Sequence, residues 1–156
     1  MQVKNILAAT ALLCANTLAT PLTAPLTTRD EAAACFPAGI QTGIPNLQGY
    51  ISTVILDVAQ QRYTSIGLDY SSTGRSLAFL ERDILPDGCA PTAVLPAPAT
   101  TADQAIAYLQ AAQAELLVLA QDAINGDCAD GEASVCRAVH LYGAVAQYAQ
   151  SVAVYE

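Results

Sequence analysis

The chain has no tryptophan, two phenylalanines and one histidine among 156 residues, and Lys4 is its only lysine. Six cationic side chains face 14 acids, for a net charge of −8. That balance excludes nucleic-acid binding, which needs clustered Lys and Arg to displace counterions from phosphate. It excludes a membrane-lytic peptide too, since such a helix needs a basic polar face. Without tryptophan, an aromatic platform for sugars has little to be built from. G-x-S-x-G, H-E-x-x-H, G-x-x-x-x-G-K and G-x-G-x-x-G are all absent, as is any Asn-x-Ser/Thr acceptor. No apolar run approaches the roughly 20 residues of a transmembrane helix.

The N-terminus is patterned for export. Lys4 precedes the apolar run Ile6–Ala15, and Thr17-Leu-Ala19 forms a small-x-small cleavage site. Together these read as a secretory signal peptide over residues 1–19. Residues 20–34 form a Pro/Thr-rich leader without apolar period, a candidate for O-glycosylation, with Arg29 as a candidate processing point. Residues 35–156 are left as a single helical domain, large enough to bury a small core.

Cleavage would remove Cys14 and leave Cys35, Cys89, Cys128 and Cys136. An even set in an exported chain points to disulfides, each adding about 2–4 kcal/mol. Four cysteines allow three connectivities. The preferred one joins Cys35 to Cys89 and Cys128 to Cys136, so that a local bridge pins the turn between two helices.

The apolar pattern predicts an all-α bundle of about four helices. Leu47, Tyr50, Ile51, Val54, Ile55 and Val58 fall at helical offsets. Pro45 and Asn46 would start that helix, which should end near Tyr63. Residues 63–74 are ambiguous: Ile66, Leu68 and Tyr70 alternate, so a small α+β domain with a hairpin there is the alternative. A second helix is expected over about 75–85, bearing Leu77, Phe79, Leu80 and Ile84. A proline-rich connection follows over 89–100. Thr101 and Gln104 then form a capping box for a long helix with Ile106, Leu109, Leu116, Leu117, Ala120 and Ile124 on one side. Asn125-Gly126 stops it. The last helix should run from Asp130 or Gly131 to about Tyr155, antiparallel to the third.

The stretch Gly126–Tyr142, GDCADGEASVCRAVHLY, carries two cysteines and the only histidine. Cys136 and His140 are four apart, which can put two metal ligands on one helix face. A zinc site needs a second close pair, and the chain has none, so no metal and no cofactor are expected. The Cys136-x-x-x-His140 spacing resembles the active-site helix of secreted phospholipases A2 but departs from it where the chemistry lies. Leu141 stands where those enzymes have aspartate, and no residue is assigned a catalytic role. Asp127, Asp130 and Glu132 do not fit an EF-hand loop and read as helix-start charges.

With its signal peptide, a Pro/Thr leader ending in Arg29 and four remaining cysteines, the chain resembles small secreted effector-like proteins of filamentous fungi. The resemblance implies a non-enzymatic protein outside the cell, whose surface binds a host or competitor protein. A carrier of a lipid or other apolar ligand is the alternative, suggested by the alanine-rich third and fourth helices. A small secreted hydrolase ranks third.

Overall fold

A computed structural model of the protein describes residues 36–37, 39–90 and 94–153. The signal segment, the leader and Cys35 lie outside those residues. Among the described residues all regular structure is helical.

Helix α1 spans Ile40–Ala59. Its buried residues Ile40, Ile44, Leu47, Ile51, Val54 and Val58 step by four and three, the period of one helix face. The start therefore lies six residues before the expected Asn46, and Pro45 sits inside the helix. Proline at that place lacks the N–H that would bond to the residue-41 carbonyl. Both Pro45 and Gln41 are exposed, so water can take that carbonyl, and burial of Ile40 and Ile44 outweighs the lost bond. Gly39 enters the helix at φ 93°, and the Thr42 hydroxyl donates to its carbonyl at 2.8 Å.

A tight turn over 60–62 follows, with Gln61 at φ 54°. Asp57 holds it twice: its carbonyl accepts from the Arg62 amide at 2.9 Å, and its carboxylate pairs with Arg62 Nε at 3.2 Å. Helix α2 then runs unbroken over Tyr63–Ile84, which overturns the hairpin alternative for 63–74. The buried residues Ile66, Thr73, Leu77, Leu80 and Ile84 keep helical spacing. The alternation that suggested a strand dissolves because Leu68 is 72% exposed. Phe79, expected to be a core contact, is exposed as well.

Pro86-Asp87-Gly88 ends α2 as expected, with Gly88 at φ 76° and its amide bonded to Leu85 O at 2.9 Å. The described part of the connection is irregular and is tied down by Ala99 N–H donating to Ala144 O at 2.8 Å. Helix α3, Ala102–Asn125, has its capping box. Thr101 Oγ1 accepts from Gln104 N at 3.3 Å, and Gln104 Oε1 reaches back to the amide of Thr100, one residue before the cap, at 2.9 Å. Gly126 closes the helix at φ 77°. The buried seam is Ala105, Leu109, Ala112, Leu116 and Leu119, whereas Leu117 and Ile124 face outward.

Helix α4 is Cys128–Gly143 and α5 is Ala146–Ala153. They replace the single helix expected to reach Tyr155. The break comes where Val145 N–H turns to Tyr142 O at 3.1 Å, a three-residue step, and α5 then packs on α2.

The helices close a ring: α1 packs on α2, α2 on α4, α4 on α3 and α3 on α1, the α3–α4 interface being the most extensive. Gln113 bridges α3 to α1 through Nε2, which donates to Gln48 O at 2.9 Å and Ser52 Oγ at 2.7 Å. Across α2 and α4, the Tyr70 and Tyr142 rings stack at 4.6 Å with an interplanar angle of 3°. Tyr70 donates to Tyr142 O at 2.8 Å and Tyr142 to Tyr70 O at 2.6 Å. Burial pushes the Tyr70 hydroxyl up to about 12 and Tyr142 higher still, so both stay neutral donors at ordinary pH.

Candidate functional site: a groove over the Cys89–Cys136 disulfide

Helix α4 begins at Cys128, which decides the cysteine chemistry. Cys128 and Cys136 both lie on this helix, eight residues apart and so separated by about 12 Å of axial rise. A disulfide needs Cα atoms within about 7 Å, and the expected local bridge is sterically closed. Cys136 instead pairs with Cys89, at a Cα–Cα distance of 5.5 Å. That bond excludes both preferred pairs, since each required one of these two sulfurs. Cys128 is disulfide-bonded as well.

The Cys89–Cys136 bond draws the loop after α2 against one face of α4. Between them lies an open groove of about 740 Å³. Its α4 wall is Ala129, Ala133, Cys136 and His140, a one-face repeat of four, three and four residues. Its other wall is Leu85, Gly88, Cys89 and Ala90. Alanine at 129 and 133 leaves space where a longer side chain would fill it. Asp87, Glu132, Arg137 and His140 supply the polar groups of the lining.

Those polar groups are not assembled as a catalytic unit. The His140 imidazole has no hydrogen bond or ion pair to the described residues. Among the described residues the lining holds no Ser, Thr or Tyr hydroxyl, and both cysteines there are in the disulfide. Arg137 is committed to α3, with Nε on Glu115 Oε2 at 2.8 Å and Nη2 donating to Ser134 Oγ at 3.1 Å. Ser134 donates in turn to the buried Asp122 carboxylate at 3.3 Å. Cys136 and His140 do share a helix face, but the sulfur is spent on Cys89. Among the described residues no group of three His, Cys, Asp or Glu is placed to hold a metal ion. Asp130 lies in the first turn of α4, where it offsets the helix dipole. Asp127 occupies the N-cap, although its side chain makes no cap bond.

His140 is half-buried, on the face of α4 that lies across the groove from the loop after α2. No signal in the sequence distinguished the Cys89–Cys136 pairing from the others. The alanines of the alanine-rich stretches pack closely: Ala105, Ala112 and Ala138 are fully buried and Ala149 nearly so. A second, smaller groove of about 360 Å³ lies between α1 and α2, with Tyr50 and Phe79 at its sides. The Arg82 guanidinium sits 5.0 Å from the centre of the Phe79 ring. Among the described residues no helix is long and apolar enough to cross a membrane. The chain matches no protein-family model, no curated protein and no solved structure.

Proposed function

We propose that the protein is a secreted, non-enzymatic interaction protein, effector-like in acting outside the cell on a host or competitor protein, and that it takes a partner segment into the groove over the Cys89–Cys136 disulfide. The observation that carries this reading is the composition of the groove. It has apolar walls of Leu85, Ala90, Ala129 and Ala133, polar groups of mixed charge beside them, and, among the described residues, no hydroxyl and no free thiol. Such a lining can bury apolar side chains and orient them by a few polar contacts. A disulfide across the base keeps the walls in place before binding, which lowers the ordering cost of association. The apolar-ligand carrier gains less support, since Ala105, Ala112 and Ala138 are fully buried in close packing between helices.

The test has two arms. The full chain is expressed in a eukaryotic host, and the protein in the medium should have lost residues 1–19. Ala133, exposed on the groove wall, is then changed to Arg, a good helix former that fills the groove. Partners captured from extracellular fluid by the wild type should be lost from Ala133→Arg at unchanged thermal stability. An uncut protein retained in the cell, or an identical set of partners on both forms, refutes the reading.

A further inference from the structure

In the connection between α2 and α3, Pro96 and Pro98 fix their own φ at about −65°. They also hold Leu95 and Ala97 out of the helical region, so residues 95–98 run extended, without helix or strand. Burial along Val94–Ala99 then repeats every third residue. Val94 and Leu95 are exposed, Pro96 is half-buried, Ala97 and Pro98 are exposed, and Ala99 is fully buried. A strand would alternate every second residue, whereas a period of three is that of a polyproline II helix. One of its three ridges, Pro96 with Ala99, lies on the bundle. The other two, Val94 with Ala97 and Leu95 with Pro98, face outward. Val94 is 97% exposed, more than any other large apolar residue described, and Leu95 is 66% exposed.

Nothing inside the molecule uses those two ridges. Among the described residues no hydrogen bond reaches Val94–Pro98, which leaves the backbone groups of the segment to water or to another molecule. The segment is nonetheless anchored on either side. Upstream, Cys89 is bonded to Cys136. Downstream, Ala99 N–H donates to Ala144 O at 2.8 Å and Thr100 N–H to Gln104 Oε1 at 2.9 Å. Between Asp87 and Asp103 the sequence carries no charged side chain.

We propose that Val94–Pro98 is a recognition element for a second protein, one with an aromatic-lined groove of the kind that takes polyproline II segments. The outward ridges offer that groove two steps. Val94 with Leu95 fills one pocket and Ala97 with Pro98 the next, about 9 Å along the axis, while Pro96 between them turns back to the bundle. The open carbonyls accept from Trp or Tyr side chains of the groove. The absence of charge excludes a partner that reads the segment by ion pairing, and an anionic membrane or a nucleic acid finds no cation to hold. Because the prolines and the anchors order the segment beforehand, little conformational freedom is lost on docking. The segment shares no residue with the lining of the groove over Cys89–Cys136, and its role does not depend on that groove taking a partner.

The ¹⁵N-labelled protein is titrated with a panel of purified SH3- and WW-type domains, which are probes with aromatic polyproline II grooves. At least one should shift the amides of Val94, Leu95 and Ala97. The double variant Val94→Glu/Leu95→Glu should bind that domain at least about tenfold more weakly, as the loss of two docked aliphatic side chains requires. Leu68→Glu makes the same kind of change at a 72% exposed position of α2 and should leave binding as it was. Both variants should melt with the wild type, since the residues changed are exposed. The proposal is overturned if no domain binds with Kd below about 1 mM, if the shifts fall on other surfaces, or if the two variants weaken binding equally. A dimer in sedimentation that Val94→Glu/Leu95→Glu dissociates also overturns it, because a second copy of the chain would then cover the segment.

Discussion

Replacing Cys89 and Cys136 together by serine removes the bridge and leaves no unpaired thiol behind from it. The bond closes a loop with a sequence separation of 47. In the chain-entropy treatment such a loop restricts the unfolded ensemble by about 14 cal/mol/K, or about 4 kcal/mol at 25 °C. Little in the native state offsets that figure, since both cysteines are half-buried on a groove wall and serine fits there without a lost core contact. For a domain of this size a loss of 4 kcal/mol is a large share of the total stability, about 5–15 kcal/mol. In urea the midpoint should fall by about 2 M, with m about 2 kcal/mol/M. A loss below about 1 kcal/mol at unchanged m would refute the entropic reasoning. The connectivity itself is checked by cleaving the non-reduced protein at glutamates, because Glu81, Glu115 and Glu132 separate Cys89, Cys128 and Cys136 into different peptides. The Cys89 peptide should be recovered joined to the Cys136 peptide. Recovery of Cys128 joined to Cys136 would sink the account of the groove.

Gly131 lies in α4 under the Phe36 ring, and a Cβ there would stand 2.7 Å from Phe36 Cε1 and 3.3 Å from Leu119 Cδ1. Gly131→Ala should therefore cost about 1–3 kcal/mol by overpacking, despite alanine's better helix propensity. In a Phe36→Ala background the same change should cost clearly less, a coupling that a double-mutant cycle in urea reads directly. Tyr142→Phe keeps the stacked ring but leaves the Tyr70 carbonyl without its 2.6 Å donor. It should lower stability by about 1–3 kcal/mol, with no dependence on pH below 9, because the wild-type hydroxyl stays neutral there.

Much of the fold was legible because apolar spacing is a local signal. The Ile51–Val54–Val58 face, the Thr101 cap and the Gly126 stop each depend on residues within a few positions of one another, and each stands in the structure as expected. The misreadings came where a local rule met a tertiary one. Pro45 is a strong helix boundary by itself, yet Ile40 and Ile44 extend the buried face beyond it. Leu68 gave residues 63–74 a strand-like alternation, and only its exposure, set by which side of α2 meets α1 and α4, restores the helical period. Leu117 and Phe79 are apolar yet exposed, since apolar character alone does not say which side of a helix is covered. The groove was the least legible feature. Its walls are 47 positions apart in sequence, and the residues between them carry no mark of which cysteine they serve.

The length of α4 links these errors. Had the helix begun at Asp130 or Gly131, Cys128 would lie in a flexible turn and could fold back on Cys136. The loop after α2 would then be free of α4, and His140 would stand in solvent with no wall opposite it. Starting at Cys128, the helix holds the two sulfurs eight residues apart on a rigid rod. Cys136 must then reach a distant partner, and Cys89 is the one that α2 delivers. A difference of two or three residues at a helix N-terminus thus decides whether Ala129, Ala133 and His140 form an ordinary exposed face or one side of a groove. For the same reason, the Cys89→Ser/Cys136→Ser variant should lose the partners that Ala133→Arg loses, even where it remains folded, because it frees the opposite wall while leaving every α4 side chain except Cys136 in place.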